Sequence, residues 1–207
     1  MEFIMNRLNV YKTHPEIILP KFATKQAACF DISFQASDKN LYSGYNKVNA
    51  PFNRSLSDGR IRIMPGDRIL VPTGLIFDIS EGYSVRIHPR SGLSYKQGII
   101  LANLEAVIDS DYIQETFILL TNNSEVDFTI EHGDRIAQAE LVKKEEYVLW
   151  EIFDAPTQKT DRTGGLGSTG VSTQLTTTTI TKLDPNVQVS TTEHPIKRGP
   201  GRPKKVA

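Results

Sequence analysis

Apolar and polar residues exchange places with a short period along most of the first 150 positions. Ile61-Arg62-Ile63 and residues 83–88 alternate, while Ile69-Leu70-Val71 and Leu75-Ile76-Phe77-Asp78-Ile79 are short apolar runs. Such segments read as strands, because successive side chains of a strand point to opposite faces. Pro65-Gly66-Asp67, Pro72-Thr73-Gly74 and His132-Gly133-Asp134 supply turns. Further strands are expected at Phe30-Asp31-Ile32-Ser33-Phe34, at Ile99–Leu101 and residues 117–120 as the two arms of a hairpin, at Phe128–Ile130, at 136–142 and, last, at 147–153. Residues 6–19 alternate weakly and end in Leu19-Pro20, a first strand; 21–31 is a small, polar connection. Residues 35–59 are rich in Ser, Asn and Gly and predict a long loop or inserted flap. A short helix is expected over Ser91–Gln97. Many short strands, frequent turns and no amphipathic helix predict an all-β barrel or sandwich.

The pattern stops near position 155. Residues 161–170 hold four glycines, too many for a strand interior, and residues 171–195 hold eight threonines and little core material. Residues 196–207 carry Lys197, Arg198, Arg202, Lys204 and Lys205 with no acid. The expected organisation is a β-domain over 1–160 with an insertion at 38–59, a glycine-rich arm at 161–170, a Thr-rich linker at 171–195 and a basic tail at 196–207. The formal net charge is zero, so without those five bases 19 remain against 24 acids and the body is mildly acidic. The single cysteine, Cys29, cannot form an internal disulfide, which favours a reducing compartment. No apolar run approaches membrane-spanning length and the N-terminus lacks a signal-peptide core. The expectation is a soluble intracellular protein of the cytoplasm, nucleoid or nucleus.

Five segments carry candidate chemistry. Gln26-Ala27-Ala28-Cys29-Phe30-Asp31-Ile32 sets a carboxylate on a strand; alone, it reads as an edge or turn residue. Pro89-Arg90-Ser91-Gly92-Leu93-Ser94 puts a forked donor, a hydroxyl and a glycine together after a strand, a combination suited to phosphate. Residues 103–112 carry Asn103, Asp109, Asp111 and Tyr112 without a glycine, so a tight two-residue turn is not their obvious purpose. Gly133-Asp134-Arg135-Ile136-Ala137-Gln138 leads into an apolar strand that Gln138 interrupts; Asp134 and Arg135 alone read as a solvated turn pair. Asp161-Arg162-Thr163-Gly164-Gly165-Leu166-Gly167-Ser168-Thr169-Gly170 is either a linker or a phosphate-cradling loop, and it lacks the ending of a P-loop.

Together, in order and spacing, these segments resemble the trimeric deoxyuridine triphosphatase (dUTPase) family over residues 6–170, apart from the 38–59 insertion. The resemblance implies a jelly-roll-like β-barrel, a homotrimer with each active site built from three chains, and a mobile glycine-rich arm that closes over a neighbour's ligand. It implies hydrolysis of dUTP to dUMP and pyrophosphate, which keeps uracil out of DNA and supplies dUMP. Asp109 would position and deprotonate the water that attacks the α-phosphorus; a carboxylate is a weak base at neutral pH, so positioning counts as much as basicity. Tyr112 would pack on the deoxyribose and exclude a 2′-hydroxyl, and Asn103 would read the uracil edge. Arg90, Ser91, Gly92, Gln138 and Arg162 would bind the triphosphate, with Ser168 and Thr169 adding contacts beside Gly167. Mg²⁺ would ride on the phosphates, one of its waters held by Asp31.

The chain departs from the family pattern in places. Leu166 stands where an aromatic stacks on uracil, the Arg162-to-Gly164 spacing is one residue short, and Cys29 and Ala106 replace glycines. The tail around Gly201-Arg202-Pro203 resembles an AT-hook, which implies A·T-rich DNA as a partner through Lys197, Arg198, Arg202, Lys204 and Lys205; a generic basic tail is the other reading. Two other functions share these features: a dCTP deaminase of the same fold, and a non-enzymatic nucleotide sensor or DNA-binding adaptor. The Asp109-Ser110-Asp111-Tyr112 run and the glycine-rich arm favour the hydrolase.

Overall fold

The structure is a computed structural model and describes residues 6–36, 41–161 and 164. Its elements are β1 (Asn9–Lys12), β2 (Lys21–Phe22), β3 (Phe30–Ser33), β4 (Leu41–Tyr45), β5 (Pro51–Ser55), β6 (Ile61–Ile63), β7 (Arg68–Pro72), β8 (Leu75–Asp78) and β9 (Tyr83–His88). They continue with α1 (Ser91–Gln97), β10 (Ile99–Leu101), β11 (Ala106–Ile108), β12 (Phe117–Asn122), β13 (Phe128–Ile130) and β14 (Arg135–Lys143). All lie in a compact unit that ends at Trp150; the chain from Glu151 on belongs to a second unit. Among the described residues no helix is long and apolar enough to cross a membrane.

Two five-stranded sheets, ordered β10-β12-β7-β4-β5 and β11-β9-β14-β3-β2, form a jelly-roll-like all-β fold, with the two-stranded pairs β1-β8 and β13-β6 completing it. The alternation in the sequence explains which faces meet. Ile69, Val71, Ile118 and Leu120 point inward from the first sheet; Phe30, Ile32, Val85, Ile87, Ala137 and Ala139 point inward from the second, and all belong to one buried core. Each large side chain so buried contributes about 1.5–3 kcal/mol. The outward positions of β3, β9 and β14 are then free for Asp31, Arg86, His88, Gln138 and Glu140. The pairing of Gln138 with both Asp31 and His88 sets these side chains in one cross-strand row.

Three elements differ from the sequence expectation, the first being β2, a two-residue strand that pairs with β3 inside the expected connection 21–31. Residues 35–59 take the flap alternative and not the loop: β4 and β5 form an antiparallel hairpin that joins the first sheet through Gly44↔Ile69 and Tyr45↔Arg68. Tyr42 is buried and donates its hydroxyl to Arg62 O at 2.8 Å; Arg54 lies 3.6 Å over the Phe52 ring and bonds the buried Asp67. The hairpin was hidden because its glycine, asparagine and proline mask the alternation. Next, β10 and β12 do pair as hairpin arms, yet the chain between them first crosses to the other sheet, where β11 pairs with β9. Finally, residues 147–153 form no strand. They pair with no strand among the described residues, and a strand needs a partner for its N–H and C=O groups. Val148, Leu149 and Trp150 are 82%, 92% and 83% exposed.

Gly44 carries the junction of the inserted hairpin. A Cβ there would sit 2.3 Å from Arg68 O and within 3 Å of the Phe52 and Ile69 side chains. A backbone oxygen in a sheet cannot move aside cheaply, so glycine marks a close backbone approach. Gly44→Ala should lower unfolding stability by about 1–3 kcal/mol, the usual range for overpacking. Denaturant unfolding checks this, and an unchanged midpoint would mean that the hairpin is held elsewhere.

Candidate active site

The first and second candidate segments and the fourth converge. Asp31 on β3, Arg90 at the start of α1, Ser91, Gly92, Arg135 and Gln138 on β14 line one cavity of about 520 Å³. Arg90 Nε donates to Asp31 Oδ1 at 3.0 Å, and Arg135 Nη1 donates to Asp31 Oδ2 at 3.0 Å. Arg90 Nη1 also donates to the Arg135 carbonyl at 3.1 Å. Gln138 Nε2 donates to the Pro89 carbonyl at 2.9 Å, which fixes the turn that carries Arg90. Gln138 interrupts the apolar strand because it ties that turn to the sheet. Gly92 leaves open space: a Cβ there would meet nothing within 4 Å.

Two guanidinium groups around one carboxylate leave the cluster with one net positive charge and unused N–H donors, which suits an anion with several oxygens. By sequence alone Arg135 reads as a solvated turn residue; the β3–β14 register brings it to Asp31. Asp31 has both oxygens engaged by arginine, so it fits a hydrated Mg²⁺ through water rather than as a direct ligand. A carboxylate retains further lone pairs for such a water.

The third segment makes a different place. Asp109, Ser110 and Asp111 line a cavity of about 960 Å³ with Tyr83, Arg86, Lys143 and Lys144 among its other walls, and none of the Asp31–Arg90 cluster. The segment is shaped by two local devices. Leu104 takes a left-handed backbone (φ 64°) between Asn103 and Glu105, and this turns the chain without glycine. The Tyr112 N–H donates to the Asp109 carbonyl at 3.1 Å, and the Tyr112 hydroxyl donates to the Glu115 carbonyl at 3.1 Å. Glu115 in turn accepts from the Gly74 N–H at 2.9 Å, tying the segment's end to the β7–β8 turn. Asn103, Asp109 and Tyr112 are exposed, and among the described residues the Asp109 carboxylate has no hydrogen bond. Arg162, Leu166, Gly167, Ser168 and Thr169 lie outside the described residues, as do Lys197, Arg198, Arg202, Lys204 and Lys205 of the tail.

Cys29, where the family pattern has glycine, lies on the wall of the cavity that Asp31 and Arg90 line. Burial, then the Glu140 and Asp31 carboxylates, push its thiol pKa up, so it is not an activated nucleophile.

Comparison with known proteins follows the same outline. Residues 55–170 match the family model described as dUTPase. The chain is 35% identical over 166 residues to the deoxyuridine 5'-triphosphate nucleotidohydrolase of Caulobacter vibrioides, covering 80% of this chain and 94% of that protein. It is 37% identical over 165 residues to the enzyme of the same description from Nautilia profundicola, covering 79% and 99%. Among solved structures, the dUTPase of Staphylococcus bacteriophage 80alpha, a G164S mutant with dUpNHpp, shares the fold with a TM-score of 0.63 at 20% identity, over 81% of this chain and all of that one. The family match takes in Arg90, Asp109 and Gln138, the two relatives are covered over nearly their full length, and the chain belongs to the dUTPase family.

Proposed function

We propose that the chain is a dUTP diphosphatase that acts as a homotrimer with shared active sites. The observation that carries the assembly is the separation of the two halves of the site. The arginine cluster suited to a triphosphate and the Asp109–Tyr112 segment line different cavities of one chain. One chain therefore offers two half-sites, and a neighbour's Asp109 segment beside this chain's Arg90 completes one. The exposed apolar run 147–150 supports association, because a monomer rarely leaves such a contiguous apolar patch bare.

In the completed site, Arg90, Ser91, Gly92 and Gln138 receive the triphosphate, joined by Arg135 and by Arg162 of the arm. Their donors balance charge that builds on the departing pyrophosphate. Asp109 orients the attacking water and takes its proton. Tyr112, its hydroxyl pinned to Glu115, presents a fixed ring to the deoxyribose. Asn103 stands at the Leu104 turn to meet the uracil. Asp31 would hold a hydrated magnesium ion through water, and the ion would neutralise phosphate charge.

The deciding measurement is pyrophosphate release from dUTP, dTTP, dCTP and UTP in parallel, with ammonia release followed from dCTP. The expected result is turnover of dUTP with the other three lower by orders of magnitude. Ammonia release without pyrophosphate would make the protein a deaminase, and no turnover of any substrate would make it a binding protein.

A further inference from the structure

Beside the phosphate cluster lies a second constellation that dUTP hydrolysis does not use. Cys29, His88 and Glu140 each offer one ligand atom, and these three atoms all lie within 4.8 Å of one another. All three residues are partly buried. We propose that they form a binding site for a zinc-type transition-metal ion, distinct from the magnesium that travels with the nucleotide.

The donor set points to the class of metal. Thiolate, imidazole nitrogen and carboxylate oxygen are all established zinc ligands, whereas magnesium takes oxygen donors in a near-ideal octahedron. The spacing fits as well. Ligands at about 2.0–2.1 Å from a tetrahedral ion stand roughly 3.3 Å apart, and His88 Nε2 lies 3.2 Å from Glu140 Oε1. The remaining separations, all within 4.8 Å, close with small rotations of partly exposed side chains. Three protein ligands leave a fourth position for water.

A carboxylate also stands behind His88. Its other nitrogen, Nδ1, lies 3.6 Å from Glu105 Oε1, just beyond hydrogen-bond length, and Glu105 is held by Arg86 at 3.3 Å. Closing that gap on metal binding would fix the imidazole tautomer and raise its basicity. The position in the fold gives the site a purpose. Each ligand stands two residues from a member of the phosphate cluster: Cys29 from Asp31, His88 from Arg90, Glu140 from Gln138. An ion here would pin β3, β9 and β14 together at the end that carries the triphosphate donors.

The test uses the full chain, stripped with a chelator and then equilibrated with Zn²⁺ or Co²⁺ in excess Mg²⁺. The expected result is about one zinc retained per chain, a raised thermal midpoint, and a cobalt form with tetrahedral d–d bands and thiolate-to-cobalt charge transfer. Because Cys29 is the chain's only cysteine, that charge-transfer band in the wild-type protein reports on this site alone. Cys29→Ser should abolish the band, His88→Gln should weaken zinc binding more than tenfold, and Glu105→Gln should weaken it by roughly 10–100-fold. The midpoints of the stripped variants show whether they fold. Failure of the wild-type chain to retain zinc, or a cobalt spectrum without the thiolate band, overturns the proposal; so does unaltered binding by folded Cys29→Ser and His88→Gln. None of these outcomes touches dUTP hydrolysis, which is measured with magnesium alone.

Discussion

Asp109→Asn should lower kcat for dUTP by roughly 10²–10⁴-fold, the usual weight of a general base, and leave dUTP binding nearly intact. That loss corresponds to about 2.7–5.5 kcal/mol of barrier. The substitution keeps the size of the side chain and removes its charge. It should not disturb the fold, because among the described residues the Asp109 carboxylate is exposed and bonds to nothing, and the segment is held instead by the Asp109 carbonyl and by Tyr112. Steady-state pyrophosphate release, paired with calorimetric titration by a non-hydrolysable imido analogue, separates the two quantities. A variant with near-normal turnover would remove Asp109 from the chemistry. A variant that loses analogue binding in step with turnover would make it a binding residue instead.

Two inactive variants should restore activity to each other. One is Asp109→Asn; the other ends before Asp161 and so lacks the arm with Arg162. If a site takes its hairpin segment from one chain and its arm from another, random exchange at equal amounts leaves about a quarter of the sites with both parts intact, since each contributor is right half the time. The rate should therefore rise from near background to about a quarter of the wild-type value. If each chain supplied both parts of its own site, mixing would restore nothing. Subunit exchange is verified first, by mass spectrometry of the mixed oligomer, so that a null result speaks about the site and not about failed exchange. The two separate cavities of the single chain support a shared site, and the assignment of the arm to a further chain comes from the family resemblance.

How much of this was legible beforehand varied with how local the cause was. β9 over Tyr83–His88 and α1 over Ser91–Gln97 appear where the sequence places them, because their alternation and their turn signals are complete within a few residues. β11 went unread: Ala106–Ile108 is too short and too flanked by polar residues to register, and it exists because β9 offers an edge. The apolar run at 147–153 has the content of a strand, but pairing is not a local property, and among the described residues no strand lies beside it. The motifs single out Asp31, Arg90 and Gln138, and the fold brings these three to one cavity. No motif singles out Arg135, which joins them through a cross-strand register between positions 104 residues apart.

The inserted hairpin has one more consequence, for solubility. A bare sheet edge is a template on which another chain can pair and start an aggregate. Without β4 and β5, β7 would present such an edge, with Ile69 and Val71 in its middle. With them, the outermost strand among the described residues is β5. It begins with Pro51, which has no N–H to offer, and carries Arg54, a bulky cation drawn inward over Phe52 to Asp67. Short, interrupted and charged, that strand is a poor template. The insertion so trades an adhesive border for a guarded one, at the opposite end of the first sheet from β10 and its crossing to Asp109.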